Sequence, residues 1–245
     1  YKRQPWTILI TARAITVNVG TWLGSSERCL TLMTVFLSRS LLSKRVVENK
    51  MARRQRSRKT RQPRQTILLV TNGRVTEKTY LEELKRRACL DNTHIKVKMI
   101  NGEPETLVRE LENPRGDTSG YSEVWIVVDE DGMDRSGFLA ACQEASSSQQ
   151  PWYGIVSRPC FEVWLIAHYE QVHRYSSQQD AQRHFQRVAN TATKELPQDF
   201  PYNEAVAAIE RCHLPGIDEN PVNELPPSPG TAMPHLVRRC NPDAR

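Results

Sequence analysis

The stretch "EVWIVVDEDGMD", residues 123–134, decides how the chain is read. Five consecutive apolar residues run straight into acids. A continuous apolar run of this length, bounded by Asp and Gly, reads as a strand buried on both faces of a parallel sheet. Side chains at i and i+2 on a strand share a side, about 6.6–6.8 Å apart. Asp129 and Asp131 are therefore expected to converge while Glu130 points away. Two neighbouring carboxylates raise each other's pKa, and a divalent cation relieves that repulsion. All-oxygen ligation with retained water favours Mg²⁺. The alternative is an ordinary acidic turn, with Asp131-Gly132 as turn chemistry; Asp134 reads as a turn residue, with a further cation ligand as the alternative. A lone D-x-D is a weak motif; its place after a fully apolar strand strengthens it.

Working outward, the same strand–helix rhythm recurs. "TILLVTNG" ends an apolar run in Asn72-Gly73, and "TEKTYLEELKRRA" follows with Tyr80, Leu81, Leu84 and Ala88 on one helical face. Thr79 and Glu82 have capping-box spacing. "HIKVKMING" alternates as a half-exposed strand, and "PETLVRELEN" is a short amphipathic helix. "SGFLAACQEASSS" reads as a helix, "WYGIVS" as a fourth strand and "CFEVWLIAHYEQ" as a helix apolar nearly all round, hence deeply packed. Strands alternating with helices predict an α/β domain, a four-stranded parallel sheet with helices on both faces. Ligands in such sheets sit at the carboxyl ends of the strands, where Asn72 and Asp129 fall. Beyond residue 172 the periodicity weakens. Residues 173–245 read as a helical and looped C-terminal appendage, "LPPSPGTAMP" as a loop and "HLVRRC" as a last helical turn.

Charge is unevenly spread. The chain of 245 residues carries a net +6, yet residues 51–64 hold seven Lys/Arg and no acid, and residues 1–50 eight Lys/Arg against two acids. The body from residue 65 onward is therefore acidic. A basic arm on an acidic body suggests tethering to nucleic acid through Arg53, Arg54, Arg56, Arg58, Lys59, Arg61 and Arg64; the alternative is a solvated tail. Residues 1–50 read as an upstream extension without a fold of its own, with Met51 a natural start, and residues 51–65 as a disordered arm. The apolar patch "CLTLMTVFL" is far short of the roughly 20 residues of a membrane span. Six scattered cysteines without zinc spacing read as reduced thiols in a cytoplasmic protein. P-loop, zinc and nucleophile-elbow patterns are absent from the sequence. A haloacid-dehalogenase reading of "DEDG" ranks low, because that motif belongs to the first strand of its domain and here closes the third.

Three motifs in order, "TILLVTNGRVTEKTYLEEL", "VWIVVDEDGMD" and "SRPCFEVWLIAHYE", resemble the RloB family, as does the basic opening from residue 51. The resemblance covers residues 51–172, with an echo at "PSPGTAMPHLV". It implies a Toprim-like fold over residues 66–172, association with bacterial phage defence, an ATPase partner, and Mg²⁺-dependent phosphodiester chemistry on nucleic acid. In that pattern the metal acids fall on Asp129 and Asp131, and the proton-transfer glutamate falls on Asn72. Asn neither titrates near neutrality nor carries charge, so it cannot act as general base. Glu77 matches the second acid of the first motif, although acids at a helix start also serve the helix dipole. Thr71 and Arg158 depart from the pattern. Glu162, an acid entering an apolar helix, needs a partner: a metal, an Arg or a helix end. His168 reads as a satisfied core histidine, and Cys160 lacks a base to make it a nucleophile. A catalytically degenerate binding or regulatory module working with the ATPase is the second reading.

Overall fold

The computed structural model describes residues 64–88, 90–113, 116–193 and 195–242. The extension 1–50 and all of the arm before Arg64 lie outside the described residues; Arg64 itself is exposed.

Four parallel strands form the centre: β1 (Gln65–Thr71), β2 (Thr93–Met99), β3 (Glu123–Asp129) and β4 (Trp152–Arg158). The helices between them are α1 (Thr76–Arg87), α2 (Pro104–Glu112) and α3 (Ser136–Ala145); α4 (Glu162–Ala167), α5 (Gln178–Val188), α6 (Ala205–Arg211) and α7 (Met233–Cys240) follow β4. The sheet order is β2-β1-β3-β4-β5. The fold class is the expected α/β, with one correction to the four-stranded sheet. A fifth strand, β5 (Gly230–Thr231), pairs antiparallel with Ser157 and Arg158 at the end of β4. Two residues are too few for any alternation to show, so "PSPGTAMP" looks like loop in sequence.

Alternating side chains split the core between two faces. Ile67, Leu69, Trp125, Val127 and Ile155 face α1 and α4–α7. Leu68, Val70, Val124, Ile126, Val128 and Val156 face α2 and α3. Both faces are covered, which is why β1 and β3 are apolar at every central position. β2 is the edge strand, and its Lys96 and Lys98 keep that edge polar.

The segment beyond residue 172 joins the same core. Ala181, Phe185, Ala208, Met233, Leu236 and Val237 are buried against α1 and α4. Arg239 of α7 grips Glu123 at the start of β3 through Nε (3.0 Å to each oxygen) and Nη2 (2.7 Å). The capping box at Thr79 and Glu82 does not form: α1 begins one turn earlier, at Thr76, with Val75 at its N-cap. Glu82 instead meets Lys85 at 3.0 Å. Among the described residues, no helix is long and apolar enough to cross a membrane, and Cys142, Cys160, Cys212 and Cys240 are buried free thiols.

Candidate active site

The chain leaves β1 for β2 in one direction and reaches β3 on the other side of β1. The crevice at the carboxyl ends of β1 and β3 is thus a topological switch point. β1 ends at Thr71, whose buried Oγ1 accepts the Gly73 N–H at 3.0 Å. This folds Asn72 and Gly73 into a tight turn before α1, with Asn72 half-buried. Glu77, in the first turn of α1, lays its carboxylate against Gly73 in the space a Cβ would occupy. Gly73 is needed here for room, since any side chain would displace that carboxylate.

β3 delivers Asp129 as its last residue, opposite Ser157 of β4. Asp129 Oδ1 is enclosed and has no hydrogen-bond partner. Burial pushes its carboxyl well above the ordinary carboxylate range, and the charges of Glu77, Glu162 and Asp131 push it further; the Phe161 backbone N–H opposes them. Beneath it, buried Arg135 donates from Nε to the Asp129 carbonyl at 2.9 Å and lies 3.7 Å from Glu103.

Asp131 reaches the site by another route than strand alternation. β3 stops at Asp129, and Asp131 stands in the following turn with φ +51°, followed by Gly132 at φ +70°. The i, i+2 argument therefore fails for this pair. The backbone turns, and Asp131 still lies close enough to act on Asp129. Its Oδ1 accepts the Gln178 amide at 2.7 Å. Glu130 points away as expected and takes Arg158 Nε at 2.6 Å, while Arg158 Nη1 donates to Pro226 O at 2.8 Å. Asp134 is a turn residue: its Oδ1 accepts from Ser136 N (2.9 Å) and Oγ (2.6 Å), which holds its carboxyl below the usual range.

Glu162 opens α4 half-buried, and its charge reaches both Asp129 and Cys160. Burial and those two acids push the Cys160 thiol up, so it stays protonated and is no nucleophile. His168 is a core residue. Its Nε2 meets Tyr80 Oη at 3.2 Å and its Nδ1 meets Trp164 O at 3.0 Å, and burial lowers its pKa to about 4.

The structure thus brings Glu77, Asp129, Asp131 and Glu162 to one rim, with Asn72 beside Gly73. Sequence reading missed three supports: Gln178, Arg135 and the space over Gly73. Gln178 lies 47 residues from the acid it serves, Arg135 holds a backbone carbonyl rather than a carboxylate, and Gly73 acts through absent volume. The chemistry of the rim is compatible with a hard cation. Donors at the rim are all oxygens, and a buried carboxylate oxygen lacks a partner. Among the described residues no three His, Cys, Asp or Glu are spaced as a ready-made metal cage; a hydrated Mg²⁺ needs one or two carboxylates rather than a cage.

No protein of curated function and no solved structure matches the chain. A family model described as "RloB-like protein" matches residues 67–239, well over half of the chain and reaching into α7. With the three motifs now placed around one sheet edge, this chain belongs to the RloB-like protein family.

Proposed function

We propose that the acidic rim is a Mg²⁺-dependent phosphodiester-cleaving site acting on nucleic acid in phage defence. The observation that carries this reading is the enclosed, unpartnered Oδ1 of Asp129 among three further carboxylates at the switch point of the sheet. Asp129 and Asp131 are the residues to hold the cation. A bound cation there supplies charge neutralisation at a phosphoryl oxygen and a more acidic water. Glu77, held over Gly73, is the carboxylate placed to accept a proton from attacking water, a task Asn72 cannot perform. Gln178 holds Asp131, and Arg135 fixes the backbone of Asp129. Burial raises the Asp129 carboxyl, so a cation held there would compete with its proton.

The basic arm, with Arg64 at its exposed end, neutralises substrate phosphates in this reading, and an ATPase partner of the family kind controls access. Asn72 favours a second reading, a degenerate Toprim-like module that binds without cleaving.

Incubating the full chain with labelled RNA or DNA and Mg²⁺ separates the two. Cleavage that disappears in Asp129→Ala and drops at least about a hundredfold in Glu77→Gln supports the enzyme. Mg²⁺ binding by calorimetry without cleavage, with cleavage gained in Asn72→Glu, supports the degenerate module. Absence of Mg²⁺ binding sinks both.

A further inference from the structure

A second cluster is formed by the segment between α4 and α5 and by α5 itself, and no part of the mechanism above uses it. His173 stacks on His184 with centroids 4.5 Å apart and planes 18° from parallel. Tyr175 joins them, 4.6 Å from His173 and 5.8 Å from His184. The inner ring is locked: His184 Nδ1 meets Tyr175 Oη at 2.9 Å and its Nε2 meets Glu170 Oε1 at 2.8 Å. A carboxylate can only accept, so Nε2 carries the proton and Nδ1 accepts from the phenol. His184 is buried, whereas His173 is exposed. A rigid inner ring thus supports an outer ring that solvent reaches.

Two further facts give the cluster a direction. Gln178, three residues beyond Tyr175, is hydrogen-bonded to Asp131, so the segment carrying the stack is tied to the acids. Tyr175 also lies near Cys160, two residues before Glu162, close enough to affect its titration. On the other side, Arg183 and Arg187 stand at i, i+4 on α5, both exposed, with Arg187 close enough to act on His184 and Arg183 3.7 Å from Asp180. Aromatic rings interleaved with cations are the pattern that binds single strands: bases stack on the rings and phosphates follow the charges.

We propose that His173, stacked on His184 and Tyr175 and flanked by Arg183 and Arg187, is a subsite for one unpaired nucleobase and its neighbouring phosphates, next to the acidic rim. Its purpose rests on the reading of that rim as a phosphodiester site. The locked inner stack leaves the outer ring pre-organised, so little ordering is needed on binding. The substrate class it selects is single-stranded or unpaired nucleic acid, in preference to duplex.

The test is fluorescence anisotropy with the full chain, so the basic arm is common to every variant. The probes are a labelled single-stranded oligonucleotide, the same length with abasic positions, and a duplex. The expected results are that His173→Ala weakens binding of the base-containing strand about tenfold and leaves the abasic strand unchanged. His173→Phe, which keeps a ring and loses the imidazole nitrogens, restores binding. Replacing Arg183 and Arg187 with Ala lowers the salt slope by roughly 1.4, about 0.7 per phosphate contact. If His173→Ala matches the parent on all three probes, if the parent shows no preference for bases over abasic sites, or if duplex binds best, the subsite is overturned. Base preference at His173 in a chain that cleaves nothing would retain the subsite and overturn the cleavage reading alone.

Discussion

At the scale of residues, Asp129 stores the tension of the site. A free aspartate titrates near 3.8, and burial among Glu77, Glu162 and Asp131 raises the folded value well above that. The sign follows from linkage: a raised folded pKa gives stability that is complete below about pH 4 and is lost as pH climbs through the folded value. In metal-free protein, Asp129→Asn should therefore raise the melting temperature, and more at pH 8 than at pH 4. Added Mg²⁺ should stabilise the parent and leave the variant unmoved. An equal gain at both pH values, read by scanning calorimetry, would contradict the carboxylate repulsion. Gly73→Ala tests the neighbouring feature. The new methyl group meets the Glu77 carboxylate, so activity should fall to the level of Glu77→Gln while the melting temperature changes little. Retained activity would show that Glu77 works from another position.

Elements show where sequence pattern stops being informative. β1, β3 and β4 were legible because both faces of a parallel strand are covered, which leaves an unbroken apolar signature. The helix start at Thr76 was not: the capping box is a local preference of about 1 kcal/mol, and burial of Thr76 and Tyr80 in the sheet–helix packing outweighs it. α7 was legible only as a helical turn, because "HLVRRC" mixes an apolar face with two arginines. The structure gives those arginines work, Arg239 on Glu123 and Arg238 on Glu219 at 2.6 Å. Leu236 faces the core fully buried. Leu236→Ala should cost about 2–5 kcal/mol in urea unfolding, with Glu123 ion pairing retained. A change below about 0.5 kcal/mol would mean that α7 packs only loosely.

Taken as a whole molecule, residues 64–242 form a unit in which the last third completes the first core. A chain stopping at residue 172 lacks α5, α6, β5 and α7, and so uncovers one face of α4, whose Val163–Ala167 are all fully buried. Such a chain should show no cooperative urea transition by far-ultraviolet circular dichroism, whereas residues 64–242 alone should. A sharp transition in the shorter chain would mark residue 172 as a true boundary.

What the amino-acid order determined by itself was the local and periodic part. It specified four parallel strands with their helices, the acids that close β3 and the basic segment ahead of the sheet. Each of these is written in neighbouring residues or in a period of two or 3.6. Only the tertiary structure decided which acids share a space. Asp131 arrives through a left-handed turn rather than along the strand, Glu77 enters over a glycine, and Gln178 and the histidine–tyrosine stack come from beyond residue 172. Those placements depend on contacts between residues distant in sequence and on empty volume, and neither leaves a periodic trace in the chain.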